Sequence, residues 1–286
     1  MRRKWKEAVS FLMTAVMTLT AVGFTTDTTA QAADFATRSK VSRTTARVAV
    51  HDPSVVDGQD GYYYIFGSHM AWARSKDLLN WSTFTTNINS NYRTIFAIPG
   101  NWAARGGGSY DISGNLWAPD VIYNKKMGKW CMYMSVNGND YCSSIALATA
   151  DKITGPYTYQ GTVVYSGFTN SSSRSYTYTD YQKATGSTNI SWYLSGGNWN
   201  LQYGTNAIDP CVIYDENGDL WMSYGSWFGG IYMLKLDECT GLRDYSYTYT
   251  TKANKSDAYM GLKLAGGYGQ SGDCLLYTSD AADEED

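Results

Sequence analysis

Three stretches of the chain set a proline beside an acidic residue and run on into a short apolar strand: His51-Asp52-Pro53-Ser54-Val55-Val56, Ala118-Pro119-Asp120-Val121-Ile122-Tyr123 and Ile208-Asp209-Pro210-Cys211-Val212-Ile213-Tyr214. Each is followed by a polar or glycine-containing turn and an aromatic-rich strand, over Tyr62–Phe66, Trp130–Met134 and Leu220–Tyr224. A second signature trails the first two units, Arg74 to Trp81 and Thr149 to Tyr157. A strand unit that recurs with an acid at the same end gathers several carboxylates around one axis.

Short alternating strands separated by Gly, Asn, Asp and Ser turns, with little helical periodicity, predict an all-β protein. Multi-strand units that repeat with variable loops point to a β-propeller, in which each blade offers its innermost strand to a central channel; a β-sandwich is the alternative. The extra length between the second and third units falls in Tyr165 to Asn200, rich in Ser, Thr, Tyr, Gly and Asn, and is expected to be a surface loop.

Both ends read differently from the middle. Residues 1–32 combine a basic start (Arg2, Arg3, Lys4, Lys6), an apolar run from Ala8 to Phe24 and a small-residue cleavage site at Ala30-Gln31-Ala32, the pattern of a secretory signal peptide. From Cys274 the sequence reads as a translated transposase adapter of the kind used in sequencing libraries. Residues 273–286 are therefore expected to be read-through, with codon 273 retaining GA and encoding Asp or Glu in the natural protein. Without these ends, residues 33–272 are close to neutral, which gives no reason to expect a nucleic-acid or membrane partner and suits a neutral glycan. His51 and His69 are the only histidines, too few for a zinc site. Cys131, Cys142, Cys211 and Cys239 show no framework spacing, and their disulfide state stays open.

His-Asp-Pro-Ser at 51–54, Leu-Trp-Ala-Pro-Asp at 116–120, Asn-Ala-Ile-Asp-Pro at 206–210 and Tyr-Gly-Ser-Trp-Phe-Gly-Gly at 224–230 together resemble glycoside hydrolase family 43, and within it the secreted endo-1,5-α-L-arabinanases. The resemblance implies a five-bladed β-propeller, here an incomplete one with about three blades and the start of a fourth. It also implies an extracellular inverting hydrolase of arabinan that acts as a monomer. Inversion needs a base and an acid on opposite faces of the sugar with room for a water between. Carried over by motif, Asp52 is the general base and Asp209 the pKa modulator. The general acid is a glutamate expected at position 273, where the chain has Asp273, so the truncated chain is expected to be inactive. Trp117, Asn206, Ser226, Trp227, Phe228 and Gly138 match cleft-lining positions, and Asp120 is expected to be structural or sugar-binding. No cofactor is expected within this chain; a calcium ion is implied for the full-length protein through a histidine further along. Exo-acting arabinofuranosidase or β-xylosidase action, and a non-catalytic sugar-binding role, are the alternatives.

Overall fold

The computed structural model describes residues 46–266 other than Trp227, Ala253 and Asn254. The expected signal peptide, the read-through tail, Asp273 and Trp227 lie outside the described residues. The first sheet is an antiparallel meander of β1 (Ser54–Asp57), β2 (Tyr63–Phe66), β3 (Trp72–Ser75) and β4 (Trp81–Thr83). The second repeats that order with β5 (Leu116–Asn124), β6 (Lys129–Val136), β7 (Ser144–Ala150) and β8 (Thr158–Tyr165). A two-stranded ribbon of β9 (Leu194–Ser195) and β10 (Asn198–Trp199) precedes the third. That sheet comprises β11 (Cys211–Tyr214), β12 (Leu220–Ser226), β13 (Gly230–Leu236), β14 (Ser256–Asp257) and β15 (Gly261–Ala265), in the order β11-β12-β13-β15-β14.

Local chemistry explains the repetition. Asn124 Oδ1 accepts from the backbone N–H of Lys126 and Met127, and Gly128 takes φ 65°, so the chain reverses from β5 into β6. Asp215 Oδ1 accepts from the N–H of Asn217 and Asp219, with Gly218 at φ 87°, and does the same between β11 and β12. The trailing signatures fall between the third and fourth strands of the first two sheets.

The second sheet is covered on both faces, and its alternation shows why. Met132, Met134 and Val136 of β6, with Ala146, Ala148 and Ala150 of β7, join Tyr64, Phe66 and Trp72 of the first sheet in one core. Cys131, Tyr133, Ile145 and Leu147 face the other way, into a core with Val212, Leu220, Met222 and Tyr224 of the third sheet. Successive side chains of a strand point to opposite faces, so one sequence serves both cores. The small alanines on one face leave room for the bulky aromatics opposite.

The expectation of an all-β protein, an incomplete five-bladed propeller, is corrected by the structure. The described residues form a mixed α/β structure of discrete, unclosed sheets with three α-helices: α1 (Asn87–Ile95), α2 (Ala97–Ala103) and α3 (Tyr181–Thr185). A capping box starts α1: Thr86 Oγ1 accepts from Ile88 N–H, and Asn89 Oδ1 accepts from Thr86 N–H. Packing rather than a long amphipathic pattern holds these short helices, since Ile88, Phe96, Trp102 and Ala103 are all buried.

The segment expected to be a surface loop is corrected as well. Phe168 sits at 4.8 to 5.6 Å from the rings of Trp199, Tyr181, Tyr193 and Tyr259, and all five are buried. Buried Asp257 anchors this aromatic group by accepting from the hydroxyls of Tyr193 (2.7 Å) and Tyr203 (2.6 Å). The hydroxyls made the segment look polar in sequence, while their rings supply apolar area to the core. Among the described residues no helix is long and apolar enough to cross a membrane. Cys131 and Cys142 are buried thiols, and Cys211 and Cys239 are exposed ones.

Candidate active site

Each of the three sheets carries a left-handed residue followed by proline at or near the start of its first strand, just before β1 and β11 and, in the second sheet, at the register irregularity inside β5. Asp52 (φ 47°), Ala118 (φ 35°) and Asp209 (φ 56°) directly precede Pro53, Pro119 and Pro210. Residues with a Cβ rarely adopt this region, and each instance costs on the order of 1–3 kcal/mol, so something must hold them there. Two serines do so at the later two positions. Ser68 Oγ accepts the backbone N–H of Ala118 at 2.8 Å, and Ser135 Oγ accepts that of Asp209 at 2.9 Å. Both serines are buried and follow the apolar stretch of a second strand. One sheet therefore fixes the entrance of the next.

This register alters the reading of the acids. Asp52 and Asp209 occupy the same position in their units, whereas the middle unit places Ala118 there. Asp120 follows its proline, aligned with Ser54 and Cys211. All three acids lie at the same end of their units, but only Asp52 and Asp209 share a register position, Asp120 standing two residues further along.

Asp52 and Asp209 lie within electrostatic reach of one another. The Asp209 carboxyl is raised to about 6, first by desolvation and then by the charge of Asp52, with His51 acting in the opposite sense. The residue is nevertheless exposed at the surface, so the carboxyl is partly desolvated by its neighbours rather than sealed in a core. Asp52 has a definite polarity: Oδ2 accepts from Ser68 Oγ at 2.7 Å and pairs with His51 Nδ1 at 2.7 Å. No described donor reaches Oδ1. A carboxylate held by one oxygen and open at the other is suited to taking a proton from a bound water.

Asp120 is held differently. Oδ1 accepts from Ser54 Oγ at 2.7 Å and Oδ2 from Val212 N–H at 2.6 Å. Burial raises its carboxyl, against the lowering effect of these hydrogen bonds and of Val121 N–H. Trp117 is half-buried beside it, its indole N–H tied to Gly114 O at 2.8 Å, which fixes the ring orientation.

The remaining expected residues gather in a neighbouring polar layer. Asn206 is buried, accepts from Ser166 Oγ at 3.1 Å and makes a long 3.5 Å contact to Asn137 Oδ1, which also accepts from Ser143 Oγ. Gly138 follows Asn137 and is packed so closely that a Cβ would lie 2.4 Å from Cys142 O and 2.6 Å from Ala103 O. Ser226 is buried and donates to Phe228 O at 3.2 Å, and the Phe228 ring packs edge-on to Tyr141 at 4.7 Å. A separate cavity formed by Phe96, Gly100, Tyr110 and Ile112 is not lined by the acids. Among the described residues, no group of three or more His, Cys, Asp or Glu side chains is placed to hold a metal ion.

Sequence reasoning gave no role to Ser68 or Ser135. Their only signal is a serine closing an apolar run of a second strand, which is too common to stand out. His51 was visible within its motif, but its contact with Asp52 was not.

Comparison with known proteins gives the family. The chain is 34% identical over 203 residues to an extracellular endo-α-(1→5)-L-arabinanase of Thermotoga petrophila, covering 68% of this chain and 37% of that protein. It is 33% identical over 201 residues to the corresponding enzyme 2 of Bacillus subtilis, covering 68% and 36%. The crystal structure of the family 43 glycoside hydrolase YxiA from Bacillus licheniformis superposes with a TM-score of 0.58 at 32% identity, over 79% of this chain and 43% of that one. The chain thus spans less than half the length of these relatives. Residues 43–202, which include the strained Asp52 entrance, the serines that follow it and all of the second sheet, match the model for glycosyl hydrolases family 43, and the chain belongs to that family.

Proposed function

We propose that the protein is an extracellular inverting glycoside hydrolase that cleaves α-1,5-linked L-arabinan within the chain. The observation that carries this reading is the pair Asp52 and Asp209: two carboxylates in equivalent strained positions, with the Asp209 carboxyl raised by desolvation and then by the charge of Asp52. The names of the relatives, extracellular arabinanases, supply the substrate class and the location.

In this reading Asp52 is the base. Ser68 and His51 hold Oδ2, and Oδ1 faces the water that attacks the anomeric carbon. Asp209 ionises above about pH 6, and its charge then raises the pKa of a third carboxyl, keeping that group protonated as the donor to the leaving oxygen. That donor is assigned to a glutamate at position 273, outside the described residues; the chain as it stands, with Asp273, is proposed to be inactive. Trp117 offers an indole face to the C–H side of an arabinose ring. Asn206, Gly138, Ser226, Trp227 and Phe228 are assigned to the cleft wall.

The test is hydrolysis of linear α-1,5-arabinan by the full-length gene product, with products followed by chromatography and anomeric NMR. Short oligosaccharides of inverted configuration support the endo reading. Arabinose as the sole product supports exo action instead, and tight binding without any product overturns the enzyme in favour of a sugar-binding module.

A further inference from the structure

Asp52 and Asp209 stand at the entrances of β1 and β11, strands that belong to different sheets with no ladder between them. Something other than backbone pairing must set their separation. Asp120, on β5 of the sheet that lies between, touches both strands. Its Oδ1 accepts from the hydroxyl of Ser54, two residues after Asp52, and its Oδ2 accepts from the N–H of Val212, three residues after Asp209. Val121 N–H reaches the same Ser54 hydroxyl at 3.4 Å, so the neighbour of Asp120 reinforces the first arm.

We propose that Asp120 is a positioning residue whose single carboxylate, by bonding β1 with one oxygen and β11 with the other, fixes the distance between Asp52 and Asp209. A planar carboxylate holds its two oxygens at constant separation, so it acts as a rigid spacer where two independent side chains would not. Each oxygen already has a strong donor within 2.7 Å, which leaves the group poorly placed to bind a sugar hydroxyl as well. The inference rests on the reading of Asp52 and Asp209 as one working pair and assigns Asp120 to their geometry rather than to the substrate.

A merely structural role predicts loss of stability; a spacer predicts in addition a change in how strongly the two acids feel each other. The readout is the titration of the Asp209 carboxyl by carbon-13 NMR, where Asp52 and His51 are the charged groups that act on it. Asp120→Ala and Ser54→Ala are expected to lower its midpoint from about 6 by about half a unit or more, as the distance to Asp52 grows. Asp120→Asn is expected to stay near the wild type, because the amide oxygen can accept from Val212 N–H while its NH2 donates to Ser54 Oγ. In an Asp52→Asn background the Ala variants should no longer move the midpoint. An unchanged Asp209 midpoint in Asp120→Ala, or a shift that persists without Asp52, overturns the proposal. Ser54→Ala removes one arm only and carries the test if Asp120→Ala does not fold. Arabinan hydrolysis is measured separately on the full-length gene product, so titration coupling together with no cleavage by that product would refute the glycosidase and leave the spacer standing.

Discussion

Replacing Asp209 with asparagine should stabilise the folded protein at neutral pH and leave it unchanged in acid. The folded carboxyl titrates near 6, against 3.8 for an ordinary aspartate, so between those values the native state holds a proton that the unfolded chain has released. Native stability therefore falls as pH rises through that window, by about 3 kcal/mol if the full shift were realised. The side chain reaches solvent and is partly screened, which reduces the expected effect to about 1–2 kcal/mol. Asparagine is nearly isosteric and cannot ionise, so it lacks this penalty. Urea denaturation of wild type and Asp209→Asn at a series of pH values from 4 to 8 gives the difference directly. Equal midpoints are expected near pH 4, with the variant ahead at pH 7 by roughly 0.5 M urea for an m value of about 2–3 kcal/mol/M. Other carboxylates titrate in both proteins and cancel in the difference. A gap that stays constant with pH, or one that opens toward acid, would refute the reasoning.

Ser135→Ala should cost about 1–3 kcal/mol, read as a lowered denaturation midpoint, because it leaves the N–H of a left-handed Asp209 without its partner. Gly138→Ala should cost about 1–3 kcal/mol by the same measurement, since the new Cβ meets the backbone oxygens of Cys142 and Ala103, which cannot easily give way; an unperturbed melt would refute this expectation. Ser68→Ala in the full-length protein should lower kcat for arabinan by about 10- to 100-fold with little change in KM, the effect of losing a hydrogen bond to a charged base. Unaltered kcat would remove Ser68 from the orientation of Asp52.

What could be read in the chain alone follows from which signals are local. The strands after Asp52-Pro53 and Asp209-Pro210 announced themselves because a proline, an apolar run and a turn are neighbours in sequence. Their acids came out in equivalent places for the same reason. Asp120 was grouped with them because an acid before a proline and an acid after one look alike in a string, and only the backbone conformation at Ala118 separates them. Helices α1 and α2 escaped notice because they are short and their apolar residues answer to the first core rather than to a repeat of 3.6. The stretch around Phe168, Tyr181 and Tyr193 was mistaken for a loop because tyrosine counts as polar until its hydroxyl finds a buried acceptor such as Asp257. The pairing of Ser54 with Asp120 spans 66 positions, and that of Val212 with Asp120 spans 92, distances over which no pattern in the string couples the partners.

The entrance that recurs at Asp52, Ala118 and Asp209 is a joint first and a chemical group second. Its middle copy is built with the same left-handed turn, the same following proline and a serine clasp, yet it presents only a methyl group. The architecture thus keeps a vacant socket between two armed ones, and a designer wishing to add a third ionisable group beside Asp52 and Asp209 would find the backbone at Ala118 already shaped to receive it.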